Sequence, residues 1–247
     1  MDNDSGYPQE LFEFTPRPRI KVVNLTNGEC CWVVDDVLVH PERIREWAAE
    51  HHAKFRTVEF NYYPGVFLHP PENVGIRLTE FFNVHIRRRF DARRVRSMYC
   101  QLSLVTLPPH ALRPIQWFCH RDASLLAPEE SRQASILYLF KESALGGTSF
   151  YEPARSPVET ALLFRDATAM TPETFSQKYA IHWGYMGASN GYFNRVGGVA
   201  AKWNRMIFYD GHLMHSGDIP EPHRLSNDPL RGRLTLNGFF VSRRHVR

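Results

Sequence analysis

Short runs of β-forming residues, each bounded by glycine or proline, restrict what this chain can fold into more than any other feature. The runs cover residues 97–107, 133–140, 147–151, 203–210, 215–219 and 233–241. Many short strands separated by turn-forming residues are typical of a double-sheet jelly roll or a barrel. The sequence therefore predicts a mainly β fold with flanking helices packed outside it.

The first 96 residues predict supporting structure around that core. Residues 22–34 predict one or two short strands around an Asn-Gly turn. The spacing of apolar residues predicts one helix over 41–49 and a second from about 76 to 95. We expect these elements to pack on a core formed by residues 97–247, within a single domain.

Residues 152–202 interrupt the run of predicted strands. A helix is predicted over 172–181, and a loop rich in Gly, Ser and Asn follows over 184–191. Long loops within a compact domain are usually functional or disordered, so we expect an insertion that determines substrate specificity. Its aromatic residues suit either the wall of a substrate pocket or an anchor that ties the loop to the core: Trp183, Tyr185, Tyr192 and Phe193.

Composition and charge exclude several classes of protein. The 247 residues are 43% hydrophobic and 23% charged, which is ordinary for a globular protein and excludes a fibrous or disordered chain. The net charge of +4 comes from one segment, because residues 87–96 hold six Arg against one Asp. Such a run is typical of a solvated helix end. Only Phe90 lies within it to stack on a base, so we expect no nucleic-acid partner.

The amino-terminal residues and the cysteines predict the compartment. Residues 1–5 are acidic and polar, unlike a secretory signal. The longest weakly charged stretch, residues 99–120, is broken by Pro and Arg, so no membrane span is expected. The four cysteines show no paired spacing, which favours a reducing compartment: Cys30, Cys31, Cys100 and Cys119. We therefore expect a cytoplasmic protein with no membrane partner.

His120-Arg121-Asp122 is the sharpest chemical motif in the chain. On a strand, residues two apart point to the same face, so the motif presents an imidazole and a carboxylate together. His215, within the run G-H-L-M-H-S-G, is the candidate third ligand. Two His and one carboxylate form a face that binds Fe(II) and leaves open positions opposite. His212 faces the other side of such a strand and is interpreted as a surface or core residue.

Arg233 lies at the head of the last predicted strand, R-L-T-L-N-G-F-F. An Arg in a mostly apolar interior is costly unless a carboxylate pairs with it. Thr235 shares its face and can donate a hydroxyl to the same anion. A buried cation beside a metal indicates a carboxylate ligand, and 2-oxoglutarate combines a carboxylate with a chelating keto acid. The alternatives are a structural salt bridge for Arg233 and plain β-propensity for Thr235.

Each motif alone is common, but their order along the chain is not. H-x-D, then G-x-x-x-H-x-G, then R-x-T resembles the Fe(II)/2-oxoglutarate-dependent dioxygenases, in particular their prolyl-hydroxylase-like branch. The resemblance covers residues 99–241. It includes I-L-Y-L-F at 136–140 and G-G-T-S-F at 146–150, which look like that branch's run between H-x-D and the distal His.

The resemblance implies a double-stranded β-helix, a jelly-roll or cupin-like fold, as the catalytic core over residues 97–247. It also implies a set of site residues. Those that bind Fe(II) and carry the catalysis are His120, Asp122 and His215. Those that bind the cosubstrate 2-oxoglutarate are Arg233, Tyr138 and Thr235. A buried core tyrosine is the alternative interpretation of Tyr138.

The resemblance further implies the reaction. An enzyme of this class uses O₂ to hydroxylate an unactivated C–H bond and releases succinate and CO₂, here on a peptide, an amino acid or a small metabolite. Two alternatives stay open: a nucleic-acid demethylase of the same superfamily and a non-catalytic jelly-roll binding module. The demethylases usually carry a second Arg shortly after the cosubstrate Arg, whereas this chain has Gly238 and Phe239 there.

Two positions depart from the pattern of the branch. Phe140 stands where the branch usually has Asn. The tyrosine often found on the strand before H-x-D has no clear equivalent, because Val105 and Thr106 lie near that place. Gln101, Ser103 and Thr106 are the candidates to replace it at the proximal end of the cosubstrate.

Overall fold

Ten strands and four α-helices form the regular structure in the residues that this computed structural model describes, 11–57, 62–122 and 126–245. The strands are β1 (Ile20–Asn24), β2 (Cys30–Val34), β3 (Gly65–Leu68), β4 (Arg94–Val105), β5 (Glu130–Tyr138), β6 (Gly147–Pro153), β7 (Phe193–Val199), β8 (Met206–Asp210), β9 (Met214–Asp218) and β10 (Arg233–Arg243). The helices are α1 (Pro41–Glu50), α2 (Glu72–Phe81), α3 (Pro157–Ala169) and α4 (Pro172–Tyr179). None of these helices has the length and apolarity that crossing a membrane requires.

The strands form two antiparallel sheets. The larger has the order β1-β2-β8-β5-β10-β4-β3, and the smaller has the order β7-β6-β9. His120 adds to the smaller sheet through an isolated bridge to His215 on β9. From β4 onward the chain passes back and forth between the sheets, which is the topology of a double-stranded β-helix. The predicted fold class is therefore confirmed.

Alternation along β10 separates the two faces of the larger sheet. Leu234, Leu236 and Phe240 are fully buried in the apolar cluster that includes α1 and α2. Arg233 and Thr235 alternate with them and point toward the smaller sheet, because side chains two apart share a face. The helices therefore shield the outer face, and the space between the sheets receives the polar residues.

The amino-terminal predictions are confirmed in part. β1 and β2 form a hairpin in which Gly28 has φ +85°, and α1 covers the predicted helix. The helix predicted over 76–95 is confirmed as far as residue 89, because α2 continues as a π-helical segment (Phe82–Ile86) and a 3-10 turn (Arg87–Arg89). It is wrong beyond that point, since β4 begins at Arg94. Arg94 and Val95 pair with the end of β10, and this long-range pairing prevails over helical spacing. Residues 1–10 and 246–247 of the predicted regions lie outside the described residues.

The 152–202 segment contains α3, α4 and β7. The predicted helix over 172–181 is confirmed as α4, whereas α3 and β7 were not predicted. Ser156 and Glu159 form a capping box at the start of α3, so the sequence S-P-V-E carried a signal for it. β7 pairs with β6. α3 and α4 pack on Phe118 and Cys119, the residues just before His120, and so support the H-x-D motif from outside.

Gly146 is a test of how the start of β6 closes against β9 within the smaller sheet. Its φ is +74°, and a Cβ there would lie 1.5 Å from the carbonyl oxygen of Asp218. Left-handed backbone alone costs a non-glycine residue about 1–2 kcal/mol. We therefore expect Gly146→Ala to lower the free energy of unfolding by at least ~2 kcal/mol and Tm by at least ~4 °C in thermal melts. Gly191→Ala, with no atom within 4 Å of its Cβ, is the control, and equal melting of the two variants would contradict this closure.

Candidate metal centre

Three metal-donor side chains converge at the open edge of the smaller sheet. The backbone N–H of His120 donates to the carbonyl of His215 at 2.9 Å, and the reverse bond is 2.8 Å. Asp122 N–H donates to Gly211 O at 3.1 Å, and the Arg132 guanidinium donates to the Asp122 carbonyl. The H-x-D motif thus lies on a bridge rather than on the regular strand that was predicted, yet both side chains reach the same place.

The donor atoms of His120, Asp122 and His215 all lie within 4.8 Å of one another. His120 Nε2 is 3.8 Å from Asp122 Oδ1, and His215 Nε2 is 3.4 Å from Asp122 Oδ2. Two imidazoles and one carboxylate suit a divalent first-row metal such as Fe(II) and occupy one face of it. The structure therefore brings the three predicted ligands together, and their binding of a metal stays a prediction.

The orientation of His215 is fixed by a backbone hydrogen bond. Its Nδ1 lies 3.0 Å from the carbonyl oxygen of Leu213, which can only accept a proton. Nδ1 therefore carries the hydrogen, and the lone pair of Nε2 points toward Asp122. A hydrogen bond from the ring nitrogen that does not bind the metal holds an imidazole in the tautomer that the metal requires.

His120 is partly covered by its neighbours, and its side chain is 58% exposed. Burial of the rest of the ring and the adjacent His215 imidazole lower the pKa of His120 to about 4. The ring is therefore neutral near pH 7, and a neutral imidazole offers the lone pair that a metal ion takes.

Tyr209 contributes a hydroxyl that sequence reasoning missed. It is buried, and its oxygen lies 3.0 Å from His215 Nε2 and 3.3 Å from Asp122 Oδ2. Burial raises its pKa well above the usual value, so the hydroxyl keeps its proton here. Tyr209 lies in β8, six residues before His215, and the alternation of that strand was the one signal that could have placed it between the sheets.

Arg233 is buried between the sheets without a carboxylate partner among the described residues. Its Nε donates to Leu145 O at 2.9 Å and its Nη2 to Gly147 O at 2.7 Å. The guanidinium also lies over the Phe140 ring, 5.7 Å from the centroid, where the branch usually has Asn. The two carbonyls satisfy part of its hydrogen bonding, and neither they nor the ring carries a negative charge to pair with it.

Polar side chains surround this guanidinium. Tyr138 and Thr235 are buried there, and the Tyr138 hydroxyl lies 2.8 Å from Thr148 Oγ1. Tyr63, which the sequence analysis did not single out, lies near Ser103 and Thr235 and close enough to Arg233 to interact with its charge. Burial raises the pKa of Tyr63 to about 12. A tyrosine therefore does reach this pocket, from the segment before β3.

Two residues that were predicted to replace the missing tyrosine, Ser103 and Thr106, lie in different places. Ser103 lies in the pocket and accepts a hydrogen bond from Asn237 at 3.0 Å. Thr106 instead lines a different cavity of about 610 Å³ together with His52 and Leu225. Tyr185, from the 184–191 loop, interacts electrostatically with Tyr63 and Arg233, and its hydroxyl donates to Leu107 O at 2.6 Å.

Comparison with models of protein families identifies the family of this chain. The model of a family described as a family of unknown function (DUF6445) matches residues 16–240, and the chain belongs to that family. None of the curated proteins searched matches the chain.

Solved structures of non-haem oxygenases are similar to this one. A Pseudomonas putida prolyl-4-hydroxylase is 13% identical, with 89% of this chain and 90% of that chain covered and a TM-score of 0.43. HygX from Streptomyces hygroscopicus, with nickel and 2-oxoglutarate bound, is 12% identical over 86% and 82%, with a TM-score of 0.46. The α-ketoglutarate-dependent carbocyclase SnoK from nogalamycin biosynthesis is 12% identical over 89% and 81%, with a TM-score of 0.47.

Loss of a metal ligand is expected to weaken metal binding far more than loss of a neighbouring histidine. We expect Asp122→Ala and His215→Ala to lower Mn(II) affinity, measured by isothermal titration calorimetry, by more than ~100-fold, since removing a supporting group alone costs about 10–100-fold. His212→Ala is the matched control, because His212 is exposed and pairs with Asp210 and Glu29 instead. Equal Mn(II) affinity in all three variants would exclude this site.

Proposed function

We propose that the protein is an Fe(II)/2-oxoglutarate-dependent oxygenase. The observation that supports this most is a His-Asp-His donor set in one barrel with a buried Arg233 that no described carboxylate neutralises. A buried charge is costly until a counter-ion joins it. A keto acid with a second carboxylate meets both needs, because it chelates the metal at one end and pairs with the guanidinium at the other.

The spacing of the two ends suits such a molecule. Gly217 lies two residues along β9 from His215, which is about 6–7 Å on one face of a strand. A Cβ at Gly217 would be 3.5 Å from Arg233 Nη2, so glycine leaves the guanidinium open toward the metal donors. A short dicarboxylic keto acid such as 2-oxoglutarate fits that interval.

Each residue then has a stated task. His120, Asp122 and His215 would hold the metal and leave its opposite face open. Arg233 would hold the distal carboxylate through N–H groups that the Leu145 and Gly147 carbonyls do not take, and Thr235 and Tyr63 would donate hydroxyls to it. Tyr138 would line the chain of the keto acid while its own hydroxyl stays on Thr148.

The reaction we propose is hydroxylation. Bound Fe(II) supplies the oxidising chemistry, in which O₂ and 2-oxoglutarate give succinate and CO₂ while an unactivated C–H bond is hydroxylated. The presence of Asp122 favours this outcome, because related halogenases lack that carboxylate. We expect a peptide, an amino acid or a small metabolite as the substrate, a cytoplasmic location, and no nucleic-acid partner.

Formation of succinate tests the proposed reaction without knowledge of the substrate. The protein is expected to convert 2-oxoglutarate to succinate slowly when Fe(II) and O₂ are present, and chelation of the iron should stop it. Asp122→Ala should reduce succinate to the level of the buffer, whereas His212→Ala should not. A jelly-roll binding module would give no succinate with the wild-type protein under any of these conditions, and that result would overturn the proposal.

Arg233 is expected to control cosubstrate affinity. Truncating one member of a buried charge pair costs about 2–5 kcal/mol, so Arg233→Met should weaken 2-oxoglutarate binding roughly 30-fold or more. Arg233→Lys keeps the charge but loses the bidentate geometry of the guanidinium. Its affinity for 2-oxoglutarate should lie between those of the wild type and Arg233→Met. Binding is measured by titration into the Mn(II)-loaded protein. If Arg233→Met binds 2-oxoglutarate as tightly as the wild type, the carboxylate lies elsewhere.

A further inference from the structure

Tyr209 differs from the other buried tyrosines in what its hydroxyl contacts. The Tyr138 hydroxyl has Thr148 as its partner, the Tyr151 hydroxyl has Met186 O, and the Tyr179 hydroxyl has Asp166 Oδ2. In the described structure, both hydrogen-bond partners of Tyr209 are donor atoms of the candidate metal centre, His215 Nε2 and Asp122 Oδ2. Its hydroxyl therefore faces the place where the metal would lie.

The distances suit a metal ligand. In an octahedral centre with bonds of about 2.1 Å, neighbouring donor atoms are about 3.0 Å apart. The Tyr209 oxygen lies 3.0 Å from one presumed ligand atom and 3.3 Å from another. The hydroxyl therefore lies within reach of an ion that His215 and Asp122 would hold.

A bound metal changes the hydrogen bonds that are open to Tyr209. The lone pair of His215 Nε2 would be given to the metal, and only the Asp122 carboxylate could still accept the phenolic proton. Beside a ferrous ion the neutral hydroxyl would donate to Asp122. A ferric ion, which is a harder acid, prefers an anionic oxygen, and tyrosinate is a known ligand of ferric iron.

We propose that Tyr209 is a fourth metal-binding side chain, which coordinates the ferric ion as phenolate. The inference rests on the proposed function, since it needs iron at the His120, Asp122 and His215 donors. When dioxygen oxidises the ferrous ion, one electron passes to dioxygen, the phenolic O–H bond breaks, its proton goes to solvent, and an Fe–O bond forms. One of the three open positions is then closed in the oxidised protein.

The test uses colour rather than turnover. The protein is loaded with Fe(II) without oxygen and then exposed to air. We expect a visible phenolate-to-iron charge-transfer band and phenolate vibrations in resonance Raman spectra. Tyr209→Phe should lose the band and the vibrations. Tyr151→Phe, which removes a buried hydroxyl from Met186 O, should keep both. Circular dichroism and Mn(II) titration establish that each variant folds and binds metal.

The outcomes separate this inference from the proposed function. If wild-type protein binds iron but shows no such band, or if Tyr209→Phe keeps it, Tyr209 is not a ligand and the oxygenase proposal stands. If the wild type binds no metal, both are overturned. A band that disappears only in Tyr209→Phe, with Mn(II) affinity within about 3-fold of the wild type, supports the fourth ligand.

Discussion

One antiparallel bridge, between His120 and His215, holds the candidate metal centre together. These residues are 95 positions apart in the chain, and their paired backbone hydrogen bonds bring both imidazoles to one place. Around that bridge, α3 and α4 pack behind the residues before His120, and β6 aligns β9. The fold thus fixes the backbone of the ligands through elements that themselves carry no ligand.

The unpaired charge of Arg233 gives the space between the sheets its chemical character. Apolar side chains fill the outer face of β10, whereas the inner face combines a guanidinium with the hydroxyls of Thr235 and Tyr63. Backbone carbonyls stabilise the guanidinium without neutralising it, which is the condition for reversible capture of an anion. Gly217 keeps this space open because it has no side chain. A Cβ there would narrow the gap between the Arg233 guanidinium and the metal donors.

Much of the fold and part of the site followed from sequence, for identifiable reasons. Local alternation and turn residues were enough to predict the jelly roll. The order of H-x-D, His and Arg along the chain was enough to predict that His120, Asp122 and His215 lie together. Tyr63 was missed because it reaches the site through the pairing of β3 with the distant β4, which no local pattern reports. For Tyr209 the alternation of β8 was the one local signal, and it does not show which distant residues the hydroxyl meets. β7 was missed because two glycines weaken its strand pattern, and the helix expected to reach residue 95 ends early because β10 pairs with residues 94 and 95.

A crystal structure with Mn(II) and 2-oxoglutarate, Mn(II) serving as an inert substitute for Fe(II), tests the central claim most directly. We expect one ion bound by His120 Nε2, an Asp122 carboxylate oxygen and His215 Nε2. We also expect the keto acid to chelate that ion, with its far carboxylate on Arg233. An ion held by other residues, or an Arg233 side chain turned away from the bound keto acid, would contradict it.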